Sequence, residues 1–166
     1  MTTTTKEIER GLHPSWAGVD ERAWRWPHFT ARELSCKCGS KHCRGEYFHN
    51  PEFLDALERL RSAMGAPLVV TSGRRCPGHN RAVGGASRSQ HMLAIAGDIS
   101  TFGHDPKRLV REAVRAGFRG VGFGSSFLHL DWRASFTPFH YDGSVQLWRN
   151  RFGFDPVDRL RAGGAL

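Results

Sequence analysis

The chain has 166 residues, which is enough for one domain with its own hydrophobic core and too few for two large domains. Hydrophobic residues make up 39% of the sequence and charged residues 24%, a composition that is typical of a globular domain and excludes a disordered or membrane-embedded chain. Lysine and arginine outnumber aspartate and glutamate by 24 to 16, which gives a net charge of +8. This charge favours polyanionic partners, and nucleic acid, phospholipid and bacterial cell wall all qualify.

Residues 1–27 show neither helical nor alternating hydrophobic periodicity, so we expect an irregular N-terminal arm. Three tryptophans in this segment, Trp16, Trp24 and Trp26, are expected to hold the arm against the rest of the protein. The first residues, MTTTTKEIERG, lack the apolar centre of a secretory signal. We therefore expect synthesis in the cytosol without a Sec signal.

The strongest helix signal begins at Asn50. Asparagine is a favoured N-cap, Pro51 suits the first turn, and Gly65 is a typical residue after the last turn. Between these ends, apolar residues recur at helical spacing: Phe53, Leu57, Leu60 and Met64. Residues 68–71 then predict a short buried strand. The Gly, Arg and Pro content of residues 72–90 predicts a long loop, a kind of segment that is often functional.

The second half of the chain predicts three strands and one helix. Strands are expected at residues 94–100, 118–123 and 127–132. A helix is expected over residues 105–117, with an aspartate as its N-cap and a glycine at its end. The polar, glycine-containing residues 151–166 are expected to form a C-terminal tail. These elements predict an α+β fold in which helices pack on one small, mainly antiparallel sheet.

Three residues have the types and the setting of a catalytic zinc site: His91, Asp98 and His129. Catalytic zinc in hydrolases takes three nitrogen or oxygen ligands and keeps one position open for water. His129 lies within a predicted strand between apolar neighbours, where an unpaired imidazole would be costly to bury. Asp131 follows on the same strand face, about 6.6 Å further along, which suits a carboxylate that orients a ligand or reaches the attacking water. The alternative is an ordinary histidine and aspartate lining a polar sheet edge.

Three stretches of the sequence carry motifs in a recognisable order. They are HFTARELSCKCG at residues 28–39, SGRRCPGHNRAVGGASRSQHMLAIAGDI at residues 72–99 and GVGFGSSFLHLDWR at residues 120–133. Together they resemble the zinc D-alanyl-D-alanine carboxypeptidases and the related phage endolysin peptidases, whose hallmark is SxHxxGxAxD followed by a later histidine ligand. The similarity extends over residues 29–148 and implies a zinc peptidase domain at residues 28–150.

The resemblance implies a role for each matching position. The cofactor would be zinc, held by His91, Asp98 and His129, with Ser89 close to the carboxylate of the substrate. Arg75 matches an arginine that in relatives faces the scissile carbonyl or the terminal carboxylate of the substrate. A guanidinium group suits either anion.

Two positions depart from the family pattern. Ala94 replaces a glycine beside the metal ligands, which adds one methyl group. Ser126 replaces the glutamate or aspartate that some relatives carry three residues before the last ligand, and a serine cannot act as that general base. Asp131 is then the first candidate for the base, with support of His129 as its alternative role. His140 is the second candidate.

Four cysteines form a separate pattern. Cys36, Cys38 and Cys43 are close together in the sequence, whereas Cys76 is distant. Their spacing, CxC followed by four residues and another cysteine, differs from the CxxC pair of a standard zinc knuckle. A structural zinc site, reduced buried thiols and a disulfide that involves Cys76 all remain open.

The sequence thus predicts a zinc metallopeptidase that hydrolyses amide bonds in the stem peptides or cross-links of bacterial peptidoglycan, next to a D-amino acid. Carboxypeptidase and endopeptidase activity both remain open. The alternative is a zinc-containing module that engages the cell wall without cleaving it, because the hedgehog signalling domain resembles these peptidases but lacks activity. Nucleic-acid binding is disfavoured because no basic recognition helix or aromatic RNA-binding motif is present. We expect a monomer without a membrane span that acts on the cell wall after release, or as part of a phage or phage-like particle.

Overall fold

The computed structural model describes residues 7–93 and 95–166 of the chain. In chain order, the strands are β1 (Gly11–His13), β2 (Tyr47–His49), β3 (Val70–Ser72), β4 (Ala96–Ser100), β5 (Gly120–Phe123), β6 (Phe127–Asp131) and β7 (Thr137–His140). The α-helices are α1 (Ala31–Leu34), α2 (Pro51–Met64), α3 (Pro77–Ala82), α4 (Gln90–Leu93), α5 (Pro106–Ala116), α6 (Val145–Phe152) and α7 (Pro156–Arg161). Within the described ranges, no helix combines the length and the apolar character that are needed to cross a membrane.

The main sheet has five strands in the order β3-β4-β6-β5-β7. Neighbouring strands are antiparallel except for β5 and β7, which run parallel. Strands β1 and β2 form a separate antiparallel pair. The predicted α+β fold with a small, mainly antiparallel sheet and helices packed on it is confirmed.

Helix α2 has the predicted ends and buries one face. The side chain of Asn50 accepts a hydrogen bond from the N–H of Phe53, and such a cap contributes about 1 kcal/mol. Gly65 follows the last turn with φ +65°, a left-handed conformation that glycine adopts without strain. One hydrophobic core joins this helix to the sheet, and it includes Leu54, Leu57, Leu60, Ile99, Val121 and Leu128.

Helix α5 packs beside α2 and also begins and ends as predicted. A carboxylate oxygen of Asp105 accepts hydrogen bonds from the N–H groups of Lys107 and Arg108, which satisfies two donors of the first turn. The buried face of α5 belongs to the same core as α2. The two longest helices of the described structure therefore support the sheet through a shared core.

The four predicted strands are present, although each is shorter than expected or shifted. The strand expected at 68–71 is β3, which begins two residues later, and its pairing with β4 is irregular. The strands expected at 94–100, 118–123 and 127–132 are β4, β5 and β6. Position 94, which carries Ala94, lies outside the described residues.

The segment predicted as a long loop, residues 72–90, contains helix α3 and the first residue of α4. Helix α3 begins at Pro77, and the sulfur of Cys76 accepts a hydrogen bond from the N–H of His79. Cysteine is not among the favoured N-cap residues, so the sequence pattern does not mark this helix.

Elements near both ends of the chain also contribute to the core. Trp26 is buried, and its indole N–H donates to Asp55 of α2. Beyond β6, the sequence pattern predicts neither β7 nor the helices α6 and α7, because each is too short to show a clear period. Trp148 of α6 and Leu160 of α7 are nevertheless buried. The division of the chain into arm, peptidase domain and tail stays a prediction.

Candidate metal centre

His91, Asp98 and His129 converge on one point beside the sheet. Asp98 on β4 and His129 on β6 are directly opposite each other in the antiparallel register, and His91 lies in α4. Nε2 of His91 is 3.0 Å from Nδ1 of His129 and 3.1 Å from Oδ1 of Asp98, while Nδ1 of His129 is 2.9 Å from Oδ1 of Asp98. These three atoms, which we call the ligand triangle, belong to buried residues.

A main-chain acceptor fixes the ring of His91. Its Nδ1 lies 2.7 Å from the carbonyl oxygen of Gly73. A carbonyl can only accept, so Nδ1 carries a proton and Nε2 is the nitrogen that would bind a metal in the triangle. Gly73 packs closely on α1, and a Cβ atom at this position would overlap the backbone of Leu34.

Asp131 fixes the ring of His129 from the opposite side. Its Oδ2 lies 2.9 Å from Nε2 of His129, so this nitrogen donates its proton to the carboxylate and Nδ1 is the nitrogen that would bind a metal. Asp131 is fully buried, and both of its oxygens also accept hydrogen bonds from the guanidinium of Arg133. Burial opposes ionisation, but the hydrogen bonds from Arg133 and His129 lower the pKa of Asp131 to about 2.

Arg75 pairs with the second carboxylate oxygen of Asp98. Its Nη2 lies 3.0 Å from Oδ2 of Asp98, and its Nε donates to the hydroxyl of Ser72 at 3.0 Å. Burial would raise the pKa of Asp98, yet the hydrogen bonds from His129 and His91 lower it below the usual range. Asp98 is therefore an ionised carboxylate with one oxygen in the triangle and the other on Arg75.

A cavity of about 390 Å³ adjoins the triangle at His129. Its lining includes Arg75, Arg88, Ser89, Arg133, Phe139 and Tyr141. Among the residues that the structure describes, no aspartate or glutamate lines this cavity. The three arginines therefore make it a suitable site for an anionic ligand.

The remaining predicted site residues lie in different places. Ser89 lines the cavity, and its hydroxyl accepts a hydrogen bond from the N–H of His91 at 3.3 Å. His140 instead pairs with Asp155 at 2.9 Å. Ser126 lies in the turn between β5 and β6. Neither His140 nor Ser126 lines the cavity.

The cavity contains residues that the sequence pattern does not identify. Phe139 and Tyr141 flank His129, with ring centroids 5.6 and 6.2 Å from its imidazole. Their placement depends on the parallel pairing of β7 with β5, in which Phe139 lies opposite Gly122. Arg133 offers a clearer signal, since it follows Asp131 by two residues in the quoted motif.

Comparison with known proteins adds independent support for the resemblance. A family model for peptidase M15 matches residues 27–131, which is more than half of the chain and includes all three residues of the ligand triangle. A search of curated proteins gives no match. The resemblance stated from the sequence is thus confirmed: the chain belongs to the peptidase M15 family of zinc D-alanyl-D-alanine carboxypeptidase-like metallopeptidases.

Proposed function

We propose that this protein is a zinc-dependent hydrolase of bacterial peptidoglycan that cleaves an amide bond next to a D-amino acid, in a stem peptide or a cross-link. One observation carries the proposal: His91, Asp98 and His129 bring three potential ligand atoms together, and the outer nitrogen of each imidazole ring lies against a hydrogen-bond acceptor, so that the inner nitrogen is the one that would bind a metal. Membership of the M15 family supports a metallopeptidase that acts on peptidoglycan.

The donor set fits a zinc ion. Two neutral imidazoles and one carboxylate are typical ligands of catalytic zinc, and bonds of about 2.0–2.1 Å place two ligands of a tetrahedral site roughly 3.3 Å apart. The triangle has edges of 2.9, 3.0 and 3.1 Å, close to that spacing. In the metal-free protein, protons on the inner nitrogens would join the imidazoles to the Asp98 carboxylate, and a zinc ion would replace these protons. His91, Asp98 and His129 would therefore hold the metal.

Bound zinc would act as a Lewis acid that polarises the scissile carbonyl and lowers the pKa of the attacking water toward about 7. The residues of the cavity would place the substrate. Arg88 would bind a carboxylate of a stem peptide, since a guanidinium forms two parallel hydrogen bonds to a carboxylate. Arg75 and Arg133 use Nε and Nη2 within the protein, so each would offer Nη1 to the substrate. Arg75 would also keep Asp98 oriented through its outer oxygen.

We assign Asp131 to the orientation of His129 rather than to proton transfer. Its carboxylate lies on the far side of the imidazole from the triangle, because it contacts Nε2 whereas Nδ1 faces Asp98. Both of its oxygens accept hydrogen bonds, and the residue is fully buried. The proposal therefore favours the supporting role that the sequence left as an alternative.

A cell-wall-binding module is the second candidate. Its support is the composition of the cavity, which has no carboxylate lining among the described residues. In some relatives the general base lies three residues before the last metal ligand. This protein has Ser126 at that position, in a turn outside the cavity. A module of this kind would hold zinc and bind peptidoglycan without cleaving it.

Digestion of purified sacculi distinguishes the two candidates. The zinc-loaded protein should release new amine ends, and mass spectrometry should show either loss of terminal D-alanine or a severed cross-bridge. His129→Ala should abolish this cleavage, whereas His104→Ala, which removes a histidine outside the triangle, should retain it. Zinc binding and sedimentation with sacculi, without new amine ends, would support the binding module.

A further inference from the structure

A second cluster of metal-ligating side chains lies outside the ligand triangle. The sulfurs of Cys36, Cys38, Cys43 and Cys76 all lie within 4.8 Å of one another. We propose that these four cysteines bind a structural zinc ion that joins the loop after α1 to the start of α3. This cysteine site is separate from the triangle and does not rest on the proposed function.

The spacing of the sulfurs fits one shared metal ion better than disulfides. Zinc–sulfur bonds of about 2.3 Å place two sulfurs of a tetrahedral site roughly 3.8 Å apart. The sulfurs of Cys38 and Cys43 are 3.6 Å apart. A disulfide joins sulfurs in pairs at about 2.05 Å, whereas here all four cysteines are free and converge on one point.

Main-chain N–H groups around the cluster point at the sulfurs. The N–H of Cys76 donates to the sulfur of Cys36 at 3.3 Å. The N–H of Glu46 donates to Cys43 and that of His79 to Cys76, both at 3.4 Å. Hydrogen bonds of this kind orient the ligands of a metal site.

The loop that carries Cys36, Cys38 and Cys43 contains a tight turn that brings the three cysteines together. Gly39 and Ser40 are successive left-handed residues, with φ of +61° and +65°, and they turn the chain between Cys38 and Cys43. Within the described ranges, Ser40 is the single residue other than glycine with a positive φ. Such a conformation persists where surrounding contacts hold it, and a shared metal ion provides them.

Charge and packing are also suited to the site. A zinc ion with four thiolates has two net negative charges, and the same loop carries Lys37, Lys41 and Arg44. The loop lies tightly on the first turn of α3, because a Cβ atom at Gly78 would come within 2.8 Å of the ring of His42. These contacts hold the loop where its sulfurs can meet that of Cys76.

The cysteine site would also support the ligand triangle. Cys76 directly follows Arg75, which holds Asp98, and lies three residues after Gly73, which holds His91. A metal ion on Cys76 would fix this stretch of chain against the loop after α1. We therefore expect the structural zinc to position the residues that orient the first site.

The metal content of the full chain tests the proposal. Protein purified with reductant and zinc should hold two zinc ions per chain, and the double variant His91→Ala/His129→Ala should hold one. X-ray absorption at the zinc edge of this variant should show sulfur ligands at about 2.3 Å and no nitrogen or oxygen ligands. This measurement leaves all four cysteines in place, so it does not depend on the folding of a cysteine variant.

The reciprocal variant Cys38→Ser/Cys43→Ser should hold one zinc ion, bound by nitrogen and oxygen, and should unfold at a lower temperature than the wild type. The proposal is overturned if the double-histidine variant binds no zinc, if its spectrum lacks sulfur ligands, if iron occupies the site, or if protein purified in reductant contains a disulfide among the four cysteines. Failure to cleave peptidoglycan affects none of these outcomes, so the two proposals fail separately.

Discussion

Gly120 lies directly opposite Asp131 in the antiparallel pairing of β5 with β6, and a Cβ atom at position 120 would overlap the Asp131 carboxylate. The absence of a side chain on β5 thus leaves the space in which Asp131 reaches Nε2 of His129. The orientation of one proposed metal ligand therefore depends on a residue that touches neither the metal position nor the cavity.

Replacement of this glycine should weaken zinc binding. In Gly120→Ala the methyl group would displace Asp131 from His129, so we expect zinc affinity to fall about 10- to 100-fold. Crowding in the sheet should also lower the free energy of unfolding by about 1–3 kcal/mol. Competition with a chelator and urea denaturation measure the two effects. Gly18→Ala is a matched control, because a Cβ atom there meets nothing within 4 Å. Equal zinc affinities of the two variants would contradict the argument.

Asp131→Asn separates an orienting role from proton transfer. An orienting carboxylate contributes mainly to metal affinity, so we expect zinc binding to weaken about 10- to 100-fold, while kcat at saturating zinc stays near that of the wild type. Loss of a general base would instead lower kcat by about 100- to 10,000-fold, even with the site fully loaded. Steady-state kinetics over a range of zinc concentrations distinguish these results, and a persistent loss of kcat would return the base role to Asp131.

The arginines of the cavity should contribute to substrate binding. Arg88 is exposed and lines the cavity, and an exposed ion pair contributes about 1 kcal/mol or less. Arg88→Gln should therefore raise KM for a substrate with a free carboxylate about two- to fivefold, without changing kcat. The increase should shrink at high salt, because ions screen exposed charges. Arg61→Gln removes the same charge from helix α2, and an equal rise in KM for that variant would argue against a specific role of the cavity.

Removal of zinc should lower the thermal stability of the protein. A ligand at 100 times its dissociation constant stabilises the folded state by about 2.7 kcal/mol, which corresponds to roughly 5–10 °C in Tm for a chain of this size. Calorimetry with and without a chelator measures the shift, and added zinc should reverse it. His91→Ala should show a smaller shift because it lacks one proposed ligand. An identical Tm with and without chelator in the wild type would mean that no bound metal supports the fold.

The metal-free protein should lose stability in acid through Asp131. Burial opposes ionisation of this carboxyl group, but hydrogen bonds from Arg133 and His129 lower its pKa to about 2, below the ordinary value of about 3.9. The ionised group therefore stabilises the fold above about pH 4, and this contribution, on the order of 2–3 kcal/mol, is lost as the pH falls toward 2. Urea denaturation should show a difference between the wild type and Asp131→Asn that is largest near neutral pH and shrinks in acid. A difference independent of pH would contradict this assignment.

The elements that could be predicted from the sequence are those whose signals are local. The ends of α2 are marked by Asn50 and Gly65, and its apolar face repeats over several turns. The elements after β6 depend on distant contacts instead. Trp148 of α6, for example, donates its indole N–H to the carbonyl of Gly124 at 2.7 Å, and no local pattern indicates this partner.

The same distinction applies to the candidate site. The triangle residues could be chosen because their types and spacing match a motif. The spacing of His129 and Asp131 shows that they share a strand face, but it fits an orienting group and a proton acceptor equally well. The side chain of Arg133 favours the orienting role that we propose, since it donates hydrogen bonds to both oxygens of the carboxylate that a base would need free. The sequence could not show whether the four cysteines bind zinc, form a disulfide or stay reduced, because Cys76 is far from the others in the sequence.

The two imidazoles of the triangle differ in whether a mutation can remove the hydrogen-bond acceptor that orients the ring. The acceptor for His91 is the carbonyl of Gly73, a main-chain group that no amino-acid replacement can delete. The acceptor for His129 is the side chain of Asp131, which a single codon change can alter. During divergence or engineering, His129 is therefore the more adjustable of the two proposed histidine ligands, and we expect substitutions at position 131 to change metal preference while the main-chain scaffold stays the same.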